Sequence, residues 1–180
     1  MKNHPIYLIL VMAFFSSCAS TKVLDSSKIK ELVTHQMFTI ESDIAQPMAT
    51  IGLSKLQNSG ILGVGNSSSN ISLIGNNNFL NIKGDSISSY LPYYGERQSN
   101  VGYGSNNGGI EFEGLIKNYD TEWNAKKQYY TITFKAKSNN EWFDVRMNLY
   151  PNLKSYVTLN SASRTGITYI GKVSALPEDE

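Results

Sequence analysis

Cysteine is nearly absent from this chain: Cys18 is the only one in 180 residues. An internal disulfide framework is therefore excluded, and so is a zinc site built on several thiolates. Histidine is almost as scarce, with only His4 and His35. His4 lies in a leader-like N-terminus, so a processed chain keeps one histidine, too few for a histidine metal site or a serine–histidine triad. An excess of one charge sign is also missing. Sixteen basic and fifteen acidic residues give a formal charge of +1, and losing Lys2 with a leader leaves zero. Such a chain has no basic footprint for nucleic acid. Long hydrophobic runs are missing too. Ile6 to Phe15 is an apolar run of about ten residues, too short to span a bilayer.

That short run has a different use. "MKNHPIYLILVMAFFSSC" holds a basic residue, an apolar stretch and small residues before a cysteine, which is the pattern of a lipoprotein signal peptide. Phe15 stands where leucine is usual. The reading is a leader over 1–17, acylation of Cys18 and a polar tether over 18–27. Acyl chains on Cys18 would hold the protein on a membrane, each buried CH₂ contributing about 0.8 kcal/mol. "ASTK" after Cys18 carries no acidic residue, which points to an outer-membrane lipoprotein facing the periplasm rather than the cell surface.

Beyond the tether, "SSKIKELVTHQM" places Ile29, Leu32 and Val33 on one face of a short helix, with Ser26 or Ser27 as the cap and His35 exposed at its end. The period then changes to two. "MFTIESDIAQP" puts Phe38 and Ile40 on one face and stops at Pro47. Residues 47–69 show no clear period. After them, "NISLI", "FLNIK", "SISSYL", "GIEFEGLI", "QYYTITFKAK", "EWFDVRMNLY", "KSYVTLNSA" and "GITYIGKV" alternate between turn residues. In the two most regular, Ile132, Phe134 and Ala136, and Phe143, Val145, Met147 and Leu149, face inward. Sequential short-looped strands pair antiparallel. The fold class is all-β: one antiparallel meander barrel of about eight strands with an N-terminal helix, over residues 28–173, followed by a tail over 174–180.

Within this pattern, "FLNIKGDSISSYLPYYG", "GGIEFEG", "YTITF" and "SASRTGITYIGKV" follow in order behind a helix and "FTI". This order resembles a family of Bacteroidota lipoproteins built on a domain of unknown function, number 4251 in its series. The resemblance covers roughly residues 28–173. It implies a lipocalin-like barrel and an envelope location, and it implies no reaction.

The motif also has a physical reading. Pro92 ends a strand, Leu91 and a tyrosine plug a barrel end, Gly95 permits a turn, and Gly108 with Gly109 start the next strand where a ring packs over the backbone. Those five residues, Leu91, Pro92, Gly95, Gly108 and Gly109, form a structural corner. Around it, Tyr93, Tyr94, Arg97 and Tyr103 are the candidate ligand-binding residues, because ring faces and a guanidinium suit a small apolar or glycan ligand. Catalytic candidates are weak. Glu111 and Glu113 share one strand face, with solvent the expected surrounding, and Asp144 and Arg146 read as a surface ion pair. "GYGSNNGG" lacks the lysine of a phosphate loop. Asp85-Ser86-Ile87 matches a short O-glycosylation signal and equally a plain turn. The chain is expected to be non-enzymatic, without metal or cofactor. Two functions lead, a barrel holding a small ligand and a filled barrel with a periplasmic protein partner, and a hydrolase using Glu111 and Glu113 ranks below both.

Overall fold

The computed structural model describes residues 26–98 and 108–177. Cys18, the leader, most of the tether, Tyr103 and the last three residues lie outside the described residues. Helix α1 (Ser27–His35) leads into β1 (Met37–Pro47), and helix α2 (Ile51–Asn58) follows. The strands after it are β2 (Ile71–Ser72), β3 (Phe79–Lys83), β4 (Ser86–Pro92), β5 (Gly109–Leu115) and β6 (Lys117–Asn124). The chain closes with β7 (Tyr129–Ser138), β8 (Glu141–Leu149), β9 (Lys154–Ser161) and β10 (Ile167–Ala175).

Every strand pairing is antiparallel, in the order β5-β4-β3-β1-β10-β9-β8-β7-β6, with β2 attached to β1. Starting at β1, this order is a meander around a nearly closed barrel of nine strands. The one joint without ladder bonds lies between β5 and β6. There the chain itself bridges the gap. Ile116 is the only residue between the two strands, and its N–H donates to the Asp85 carbonyl at 2.9 Å. Gly114 (φ 131°) and Asn118 (φ 56°) bend the run on either side. Its first half pairs with β4 and its second half with β7.

The inward faces follow from the alternation. Phe143, Val145, Met147 and Leu149 are all buried, as are Ile132, Phe134 and Ala136 on the neighbouring strand. Ile29, Leu32 and Val33 of α1 join the same core. Ser26 stands at the N-cap of α1 without a side-chain cap bond, and the helix ends at Gln36 in the left-handed region. No helix among the described residues is long and apolar enough to cross a membrane.

A bulge between Ser42 and Ile44 reverses the phase of β1. Phe38, Ile40 and Ser42 are buried before it, and Ala45 and Pro47 after it. On its other side β1 has no strand partner at Ser42, since pairing with β3 ends at Ile40 and pairing with β2 begins at Ile44, and the buried Asn78 side chain fills that gap. Its Oδ1 accepts from Ser42 N at 2.9 Å, and its Nδ2 donates to Ser42 O at 2.9 Å. Opposite Ser42 lies Gly171, where a Cβ would stand 2.0 Å from Glu41 O and 2.6 Å from Ser42 Cα.

One expected pair is corrected. Asp144 bonds to Lys135, directly opposite on β7, at 2.7 Å, rather than to Arg146. Residues two apart along a strand are separated by about 6.5 Å of rise, whereas a directly opposed pair has Cβ atoms about 5 Å apart.

Candidate functional site

The corner is built at the end of β4. Leu91 is buried, and the Pro92 carbonyl accepts from the phenol of Tyr169, a fully buried residue on β10, at 2.8 Å. Burial pushes the Tyr169 phenol well above its usual range, with Tyr93 adding to the shift. Beyond Pro92 the chain turns back over the barrel end. The Tyr93 hydroxyl lies 2.9 Å from the Thr165 carbonyl, 3.0 Å from Thr165 Oγ1 and 3.1 Å from the Glu96 carbonyl. It is raised by desolvation, partly offset by its bonds to Thr165 and by Arg164.

Residues 96–98 are stitched to the β9–β10 connection. Thr165 N donates to Glu96 O at 3.0 Å, Gln98 N donates to Ser163 O at 2.8 Å, and Arg97 lies opposite Arg164. The Glu96 carboxylate also accepts from Thr50 Oγ1 at 2.6 Å, and that hydroxyl accepts from Leu53 N at the start of α2. One short segment thus fixes the corner, the β9–β10 loop and α2 together.

Gly95 is required here for space. A Cβ would stand 2.2 Å from the Tyr93 hydroxyl and 2.5 Å from Thr165 Oγ1. The turn does not draw on the left-handed region at Gly95. At Gly109 a Cβ would meet the Leu91 carbonyl at 3.1 Å and the Tyr90 ring at 3.6 Å, whereas at Gly108 it would meet nothing. The crowding expected at both glycines therefore belongs to Gly109.

Beneath the corner lies a pair that sequence reading missed. Arg164 Nε donates to Glu141 Oε2 at 2.8 Å, and both side chains are largely buried. Glu141 Oε1 accepts from Ser161 Oγ, which in turn accepts from Arg164 N at 3.2 Å. The guanidinium sits 5.0 Å from the Tyr93 ring centroid and 5.7 Å from that of Phe143, and its Nη1 is buried without a partner. "SASRTG" carries Arg164, but Glu141 lies far away in sequence, and no spacing joins them.

A model of the domain of unknown function DUF4251 matches residues 22–173, most of the chain. The chain belongs to that family. Comparison with curated proteins finds no match. The DUF4251 match runs from before α1 to Val173 in β10, so it takes in every strand of the barrel.

Of the candidate ligand residues, this DUF4251 domain brings Tyr93, Tyr94 and Arg97 to one end of the barrel. Tyr93 spends its hydroxyl on the protein itself. Tyr94 packs against the core, its phenol raised by burial and by Tyr90. Glu111 and Glu113 lie on β5, opposite in phase to the buried Ile110 and Phe112. Among the described residues, no group of three or more His, Cys, Asp or Glu side chains could hold a metal ion.

Two open grooves lie on the outer wall. One, about 360 Å³, is lined by Asn81, Lys83, Ser88 and Leu176. The other, about 370 Å³, is lined by Thr133, Lys135, Asp144, Arg146 and Asn160. A half-buried tyrosine row crosses the outside as well. Tyr129 and Tyr150 have ring centroids 4.9 Å apart, and Tyr150 and Tyr156 5.7 Å.

Proposed function

We propose that this protein is a non-enzymatic cell-envelope lipoprotein that works through the outer wall of a filled barrel, as a protein-interaction module. The observation that carries the reading is the state of the barrel interior. Inward residues from strands all around the ring, including Ile40, Leu80, Ile110, Ile132, Met147 and Leu159, are at most 1 % exposed. A side chain lining a water-sized void would keep accessible surface toward it, so these residues pack against one another. A lipid anchor on Cys18 and a periplasm-facing position at the outer membrane complete the proposal. They rest on the leader and the residues behind it.

Native mass spectrometry of residues 22–180, purified from the organism's own envelope extract, tests this reading. The expected result is a clean apo mass, with crosslinking in cells then trapping a protein partner. A stoichiometric small molecule bound at the barrel would refute it. A second reading, a glycan held on the outer wall, is favoured by the row Tyr129–Tyr150–Tyr156. Beside it, Thr131 Oγ1 bonds to Asn148 Oδ1 at 3.2 Å, and partly exposed rings flanked by hydroxyl and amide groups suit sugar faces. Retention on immobilised polysaccharide, abolished by Tyr150→Ala, would select it.

A further inference from the structure

Among the described residues, the segment between β1 and β3 holds most of the exposed large aliphatic side chains. Met48, Ile51, Leu56, Ile61, Val64 and Ile74 are all exposed, Ile61 at 72 % and Val64 at 106 %. The only other exposed large hydrophobics among the described residues are Tyr90, Leu115 and Trp142. The segment is folded: Thr50 caps α2, Ser68 N donates to Gln57 Oε1 at 2.6 Å, and Asn66 joins Leu62 O to Ser72 N. Val64 sits between Gly63 and Gly65, whose φ values of 81° and 84° set the turn that presents it to solvent.

Composition separates the possible occupants. From residue 44 to residue 84 there is no aspartate or glutamate, and the only charges are Lys55 and Lys83. Residues 48–76 contain no tryptophan, tyrosine, phenylalanine or arginine. Protein interfaces draw their binding energy mainly from tryptophan, tyrosine and arginine. A segment of aliphatic tips, glycine, serine and asparagine with one lysine and no carboxylate of its own, the adjacent Glu96 carboxylate being bonded to Thr50, instead matches an anionic lipid surface, where apolar tips enter the acyl boundary and a cation meets headgroups. We propose that this segment docks on a lipid bilayer, with Ile61 and Val64 entering it. The inference uses neither Cys18 nor a protein partner, and so goes beyond the proposed function.

The test is flotation of residues 22–180 with vesicles of phosphatidylethanolamine and phosphatidylglycerol. That chain keeps every strand and core side chain described above, so its barrel is complete. The protein should float with the vesicles. The pair Ile61→Asp and Val64→Asp should lower the bound fraction at least about tenfold, since two aliphatic side chains leave the bilayer, with Tm unchanged. Leu115→Asp, an exposed aliphatic at the end of β5 and outside the segment, should bind as the parent does. Failure of the parent to float, or equal weakening by Leu115→Asp, overturns the proposal. So does a dimer in sedimentation that the Ile61/Val64 pair dissolves, because the surface would then belong to a second copy.

Discussion

Replacing Glu141 with glutamine tests the account of the corner most directly. The substitution keeps shape and removes one charge. Arg164 is then left as a cation against the Tyr93 and Phe143 rings, with Nη1 already lacking a partner. Side-chain exposures of 7 % for Arg164 and 16 % for Glu141 mean that solvent screens the pair weakly. Breaking a buried pair from one side costs about 3–5 kcal/mol. The partial access of Glu141 places this case near the lower end, about 3 kcal/mol. In a barrel of this size each kcal/mol lowers Tm by about 2–4 °C. Thermal melts followed by circular dichroism should therefore show a fall of roughly 6–12 °C. Adding Arg164→Met to Glu141→Gln should recover at least half of the loss, because the orphan cation is gone. A loss below about 1 kcal/mol, the range of exposed pairs, would refute the reasoning.

Three further outcomes follow from the same geometry. Tyr93→Phe should cost about 1–3 kcal/mol in urea unfolding, since the Glu96 and Thr165 carbonyls lose their phenol, whereas Arg97→Ala should leave the midpoint nearly unchanged; the reverse order would detach Tyr93 from the corner. Gly171→Ala forces the β1 bulge to move and should cost at least about 2 kcal/mol, read as a lower denaturation midpoint, with unchanged stability counting against the bulge as described. The phenols of Tyr93 and Tyr169 are both raised in the folded state. Their contribution is therefore intact below the unfolded tyrosine value of about 10 and is lost as pH rises beyond it. Stability should stay flat through neutral pH and fall above about pH 10, less steeply in Tyr169→Phe, as monitored by tyrosinate absorbance during unfolding.

The strands that sequence reading found are those with one wet and one dry face. β7 and β8 alternate because each lies with one side on the core, and hydrophobicity records that geometry. β6 escaped because "KNYDTEWN" has both faces largely exposed, so no period is imposed on it. α2 escaped for a related reason. Leu53 is its only buried residue, and one inward side chain makes no stripe. The bulge in β1 hid in the same way, since the reversal of phase at Asp43 reads as a weak strand end. At the site, Pro92 was legible as a local backbone requirement, whereas Gly95 is needed for the space taken by Tyr93 and Thr165. Glu141, Arg164 and Thr165 were not legible, because their roles depend on the barrel bringing β4, β8 and the β9–β10 loop to one place.

The position of β1 also governs when this molecule can form. Its neighbours are β3 on one side and β10 on the other, so the first strand of the barrel is locked by the last. Phe38 and Ile40 pair with Ala175 and Val173, across nearly the whole length of the domain. Contacts of such long sequence separation fold slowly. A chain still missing its final strand has an open sheet with the β1 edge bare, and no ring to close. Such a chain cannot close the ring until β10 is available. Truncation before Ile167 should accordingly remove the barrel as a whole rather than one strand of it.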